Sequence, residues 1–151
     1  MTTTVTFDQA KELAGKDLGF TEYRTISQDR INTFADATDD HQWIHTDPER
    51  AAAGPFGGTI AHGYLTLALL IPLMTELLDV TGVRMSINYG LDKVRFPAPV
   101  PVGSKIRLKG QVASVDEVAG DGVQITIDFT VEIEGSDKPA CVARGVYRHY
   151  A

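Results

Sequence analysis

Ala61-His62-Gly63-Tyr64-Leu65-Thr66-Leu67-Ala68-Leu69-Leu70-Ile71-Pro72-Leu73-Met74-Thr75-Glu76-Leu77-Leu78-Asp79-Val80 is apolar on nearly every side. A helix without a polar face is one surrounded by protein, so the spacing predicts a buried helix from about 61 to 80. Pro72 removes one N–H inside it and predicts a bend or an unpaired carbonyl. Downstream of Gly82 the hydrophobic period changes to two, and strands are expected over 84–89, 93–96, 105–115, 123–134 and 140–149. Gly120-Asp121-Gly122 and Gly135-Ser136-Asp137 supply turns between them. Ile125, Ile127, Phe129, Val131 and Ile133 point to one face, and Thr126, Asp128, Thr130 and Glu132 to the other. One buried helix followed by antiparallel strands predicts an α+β domain in which a sheet wraps around the helix.

Upstream of that helix the chain reads as short helices and loops with one early strand. Thr6 and Gln9 make a capping box for a helix expected to stop near Gly15, and residues 20–26 alternate as a strand. Ser27 caps a helix whose apolar face is Ile31, Phe34 and Ala35, and which runs out at Thr38-Asp39-Asp40. The segment from Asp40 to His45 is therefore expected in a loop. Asp47-Pro48 begins another short helix that ends before Gly54. Gly54-Pro55-Phe56-Gly57-Gly58 is a loop without the Lys-Ser/Thr end of a phosphate-binding one.

With 151 residues, 43% of them hydrophobic and 23% charged, the chain is expected to form a single domain spanning 1–151. A net charge of −6 argues against nucleic acid or an anionic membrane as partner. The apolar run over 64–78 is too short to span a bilayer and carries Thr66, Pro72, Thr75 and Glu76. A lone cysteine, Cys141, excludes an intrachain disulfide and, with an N-terminus that has neither basic nor apolar leader character, points to a cytoplasmic protein.

Asp40 and His45 are the residues best suited to chemistry. An imidazole exchanges a proton near neutral pH, and a carboxylate converging with it can hold a water molecule. The plainer alternative makes Asp40 a turn cap and His45 a surface residue. Gly63 stands where the long helix begins, and the first N–H groups of a helix suit a developing oxyanion; close packing is the competing explanation. Trp43, Ile60, Ala61 and His62 flank these positions and are the residues expected beside a substrate. Trp43 equally suits a loop anchor. His41, His45 and His62 with Asp39 or Asp40 lack the spacing of a zinc protease, so no metal is expected. Cys141, in Ala140-Cys141-Val142-Ala143, reads as a buried small hydrophobe. Arg84, Lys93, Arg95, Lys105, Arg107, Lys109, Arg144 and Arg148 read mainly as a solvated strand face.

These residues resemble the MaoC-like (R)-specific enoyl-CoA hydratases, the hydratase 2 group, and in particular its small mycobacterial-type members. The family signature places Asp, a variable residue, Asn-Pro, an aliphatic residue and His in the frame held by Asp40, His41, Gln42, Trp43, Ile44 and His45. Ile60-Ala61-His62-Gly63 is similar to its second motif, and Val94-Arg95-Phe96-Pro97-Ala98-Pro99-Val100 to a later strand-and-turn segment. Gln42-Trp43 replaces Asn-Pro, and Asp39 stands where a glycine is usual. The resemblance covers the chain from about Leu18 onward and implies a hot-dog fold paired as a homodimer. It further implies reversible hydration of trans-2-enoyl-CoA to (R)-3-hydroxyacyl-CoA, with Asp40 and His45 holding the water and the Gly63 N–H on the thioester carbonyl. No cofactor is implied, because coenzyme A is carried by the substrate. A hot-dog acyl-CoA thioesterase, a non-catalytic acyl-CoA binding module and a partner-dependent dehydratase subunit are the alternatives.

Overall fold

The computed structural model describes residues 1–151. In chain order the elements are β1 (Thr3–Thr6), α1 (Phe7–Ala10), β2 (Asp17–Phe20), β3 (Arg24–Thr25), α2 (Gln28–Thr38), α3 (Trp43–Thr46) and α4 (Pro48–Ala52). They continue with α5 (Gly63–Ala68), α6 (Leu70–Leu77), β4 (Leu78–Thr81), β5 (Met85–Arg95), β6 (Lys105–Val118), β7 (Gly122–Ile133) and β8 (Cys141–Tyr150).

The main sheet is antiparallel, in the order β2-β6-β7-β8-β5, with β3 pairing β6 beside β2. Register shifts within the β2–β6, β5–β8 and β6–β7 pairs mark the bulges that bend a sheet. Leu65, Leu69, Leu73 and Leu77 recur every four residues down α5 and α6, making one stripe that is buried in the core. The same core takes Ile106, Leu108, Val112, Ile125, Ile127, Phe129 and Val131 from β6 and β7. This is the hot-dog arrangement. The outer face of the sheet carries cross-strand pairs: Arg107 lies opposite Glu132, and Arg144 opposite Asp128, each joined by hydrogen-bonded ion pairs. Two of the eight basic residues read as a strand face, Arg107 and Arg144, are thus locally neutralised.

Several expectations change. The long helix is two, separated at Leu69, because Pro72 offers no N–H to the Ala68 carbonyl one turn earlier. It ends at Leu77, and Leu78–Thr81 turns into a strand paired in parallel with β1, a contact over some 75 residues that local pattern does not reveal. The expected 20–26 strand is split into β2 and β3, while 84–89 and 93–96 are one strand, β5. The first helix stops at Ala10 although its capping box forms as expected. One face of α5–α6 also stays uncovered: Tyr64 is 72% exposed, and Ala68, Pro72 and Thr75 are exposed beside it.

Phe129, 1% exposed, meets Tyr147 edge-on with ring centroids 6.0 Å apart. Phe129→Ala is expected to cost about 3–5 kcal/mol of unfolding free energy, read as a lowered urea midpoint at unchanged slope.

Candidate active site

Ser27 starts α2 by accepting a hydrogen bond from the Arg30 N–H, and the helix ends where Asp39 adopts a left-handed φ of 60°. Aspartate tolerates that conformation better than most residues, and it turns the chain back toward the core. Asp40 follows with its side chain 53% exposed. The expected loop then tightens into α3, a single turn that carries His45 to 7% exposure. His41 pairs instead with Asp36 on α2, its Nε2 2.9 Å from the carboxylate, and so faces away.

Three contacts hold His45. Its Nδ1–H donates to the Ile60 carbonyl at 2.7 Å, which assigns the tautomer and leaves Nε2 with a free lone pair. Its own carbonyl accepts from Gln28 Nε2 at 2.7 Å, and Gln28 Oε1 in turn accepts from the Thr59 hydroxyl at 2.5 Å. Its ring stacks on His62, with centroids 3.9 Å apart and planes 23° from parallel. Burial holds the His45 pKa below its usual value, because water no longer solvates the imidazolium; the nearby His62 acts in the same direction. The Ile60 carbonyl and Asp40 oppose this without cancelling it.

Asp40, His45 and His62 each bring a ligand-type atom within 4.8 Å of the others. One water molecule making two hydrogen bonds of ~2.8 Å can bridge such a gap. His45 Nδ1 and His62 Nε2 are both committed to main-chain carbonyls, those of Ile60 and Asp40. Each imidazole therefore keeps one uncommitted nitrogen, Nε2 on His45 and Nδ1 on His62.

His45 also lines a cavity of about 340 Å³ together with Phe56, Ile60, Ala61, Gly63, Thr66, Phe96, Ala98, Pro99, Val100 and Ala140. Gly63 is the first residue of α5, so its N–H precedes the helix's own hydrogen bonds. A Cβ there would lie 3.2 Å from the Phe96 ring, a reason in packing for glycine at this position. The extended 59–61 segment is fixed by Ile60 N–H to the Ile44 carbonyl and Ala61 N–H to the Val100 carbonyl.

His45, Ile60, Ala61 and Gly63 thus share one cavity, with Asp40 beside His45. Two residues expected beside the substrate, Trp43 and His62, do not line this cavity. Trp43 packs on Gly54 and carries the Arg50 guanidinium 4.4 Å from its ring, so it anchors α3 to α4. His62 lies behind His45 at 3% exposure, against Phe34, with Nδ1 buried and unpaired. An unpaired buried ring nitrogen costs on the order of 1–3 kcal/mol. Gln28, Phe56, Thr66, Phe96 and Ala140 were not singled out for this site from sequence. Only the spacing of Phe96 within its Phe-Pro-Ala-Pro segment offered a signal. Cys141 is 1% exposed with its thiol pushed up to about 11 by burial, as suits a packing residue.

The chain is 55% identical over 149 residues to 3-hydroxyacyl-thioester dehydratase Z of Mycobacterium tuberculosis, covering 97% of this chain and 99% of that protein. Its fold matches the monoamine oxidase regulatory protein of Archaeoglobus with a TM-score of 0.75, at 25% identity over 91% of each chain. It also matches the (R)-hydratase of A. caviae involved in PHA biosynthesis, with a TM-score of 0.73 at 24% identity, covering 89% of this chain and 94% of that one. A family profile described as the MaoC like domain covers residues 9–133. With that match across most of the chain and a relative alike over nearly its whole length, the chain belongs to the MaoC-like domain family.

Proposed function

We propose that this chain is a 3-hydroxyacyl-thioester dehydratase that catalyses the reversible hydration of trans-2-enoyl-CoA to (R)-3-hydroxyacyl-CoA. The reading is carried by the His45 Nε2 lone pair, left free by the Nδ1–H bond to Ile60, on a residue that is close to Asp40 and shares a cavity with Gly63. The name of the M. tuberculosis relative supports the reaction class. The (R) outcome rests on the family resemblance.

In the hydration direction, water sits between the Asp40 carboxylate and His45 Nε2. As its oxygen bonds to C3, the pair takes up one of its protons, and a proton from the pair is delivered to C2. One water is consumed and the double bond becomes a C–O and a C–H bond. The Gly63 N–H donates to the thioester carbonyl and stabilises the enolate-like charge, a contribution typically about 2.7–4 kcal/mol at the transition state. Ile60 and Ala61 close the cavity around the acyl group. The thioester itself activates the alkene, so the reading calls on no redox cofactor or metal.

A second copy of the chain fits this reading. β5 is an edge strand of 11 residues, and Met85, Ile87, Tyr89 and Leu91 along it are 38–57% exposed next to Tyr64 of α5. An open, apolar edge of that length is one that proteins cover. No helix is long and apolar enough to cross a membrane.

Purified protein is expected to bleach the enoyl-thioester absorbance of crotonyl-CoA or a longer enoyl-CoA, with product oxidised by an (R)-specific 3-hydroxyacyl-CoA dehydrogenase. Asp40→Asn and His45→Asn are each expected to lower kcat by about 10²–10⁴-fold with little change in Tm. The asparagine at 45 can retain the bond to Ile60 but has no Nε2 base. Thiol release without hydration would indicate a thioesterase, and binding without turnover a partner-dependent subunit. Because burial favours neutral His45, the acid limb of kcat/KM against pH is expected below the ordinary histidine value of 6.5. A limb at or above it would remove His45 as the base. Sedimentation is expected to show a dimer for the wild type and a monomer for Leu91→Asp; a monomeric wild type would overturn the pairing.

A further inference from the structure

We propose that His62 is a positioning residue: its ring fixes the His45 imidazole and its Nε2–H fixes the Asp40 main chain, holding both in register with the Gly63 N–H. The inference rests on the dehydratase reading above and assigns to His62 a role other than contact with substrate.

His62 is the N-cap residue of α5, yet its side chain makes no capping hydrogen bond to that helix. It reaches instead across 22 residues, Nε2–H donating to the Asp40 carbonyl at 3.0 Å. The Nε2 atom also lies 4.0 Å from the Asp40 carboxylate. The ring stacks on His45 at 3.9 Å and is backed by Phe34 at 4.9 Å. One side chain therefore touches the backbone of the water-binding carboxylate and the face of the base, while its own peptide carries the chain into Gly63. These three groups stand on separate segments: the turn after α2, the single turn α3, and the start of α5.

The cost of histidine here is visible in its Nδ1, which is buried without a partner. A phenylalanine ring would fill the same space against Phe34 and His45 and leave no nitrogen unpaired. Packing alone thus favours an apolar ring at position 62. What histidine adds is the Nε2–H, and that donor ends on the residue that holds the reacting water. A misplacement of about 1 Å in such a constellation can cost as much as 10²-fold in rate.

The test compares His62→Phe, which keeps the ring and removes the donor, with His62→Gln, which places an amide N–H near the Nε2 position without the ring. With crotonyl-CoA as probe, His62→Phe is expected to lower kcat by about 10–100-fold while KM changes far less and Tm stays level or rises. His62→Gln is expected to recover part of kcat despite a lower Tm. Amide hydrogen exchange over residues 39–46 is expected to quicken in His62→Phe whether or not the protein turns over this substrate. Unchanged kcat in His62→Phe, or a fall in Tm with full turnover per folded molecule, would overturn the positioning role. Unchanged exchange over 39–46 would do so as well. An inactive wild type would count against the dehydratase reading and leave the exchange measurement to decide whether His62 orders the segment.

Discussion

Burial of the Leu65-Leu69-Leu73-Leu77 stripe in the hollow of the sheet is the constraint on which the rest of the molecule depends. Each of these side chains is at most 7% exposed, and burying a leucine is worth roughly 1.5–3 kcal/mol. The stripe fixes the axis and rotation of α5 and α6, and with them the position at which the helix begins. Gly63 faces the cavity for that reason. Because Pro72 breaks the ladder of helical hydrogen bonds, the helix is able to change course at Leu69 while the stripe continues.

The candidate site is hung on this scaffold by a few polar bonds. The 59–61 segment runs straight into α5, so its position follows from the helix. The Ile60 carbonyl then sets the His45 ring, and the Gln28 amide and Thr59 hydroxyl set the α3 main chain. A one-turn helix such as α3 has little stability of its own. Its shape is imposed by the Gln28 contact, by Trp43 under Arg50, and by Asp47, which ends α3 and caps α4. Burying His45 lowers its basicity, and that same burial gives the ring a fixed direction and a defined tautomer.

The legible parts of the sequence were those with a strong local cause. The Ser27 and Asp47-Pro48 caps, the Thr6–Gln9 box and the period-two run through Phe129 all stand where pattern placed them, since each depends on neighbours within a few residues. The β1–β4 pairing was hidden because it joins four-residue segments some 75 residues apart, and the short alternation of Leu78–Thr81 runs straight on from the apolar helix. The division of the site was hidden for a related reason. Trp43 and His62 stand in the same motifs as Asp40, His45 and Gly63, and only the structure shows that they pack against Gly54 and Phe34 and do not line the cavity.

By itself, then, the sequence determined the α+β order of elements, the helix buried by the sheet, and the pairing of a carboxylate with an imidazole ahead of a glycine-initiated helix. Spacing and composition are sufficient for these because hydrophobic period and cap chemistry act over short range. Tertiary structure alone decided which nitrogen of His45 is free, which residues line the cavity, and that the ring of His62 stacks on that of His45. Those outcomes depend on hydrogen bonds, stacking and packing between segments from 15 to some 95 residues apart. Their geometry exists only once the helix has settled into the sheet.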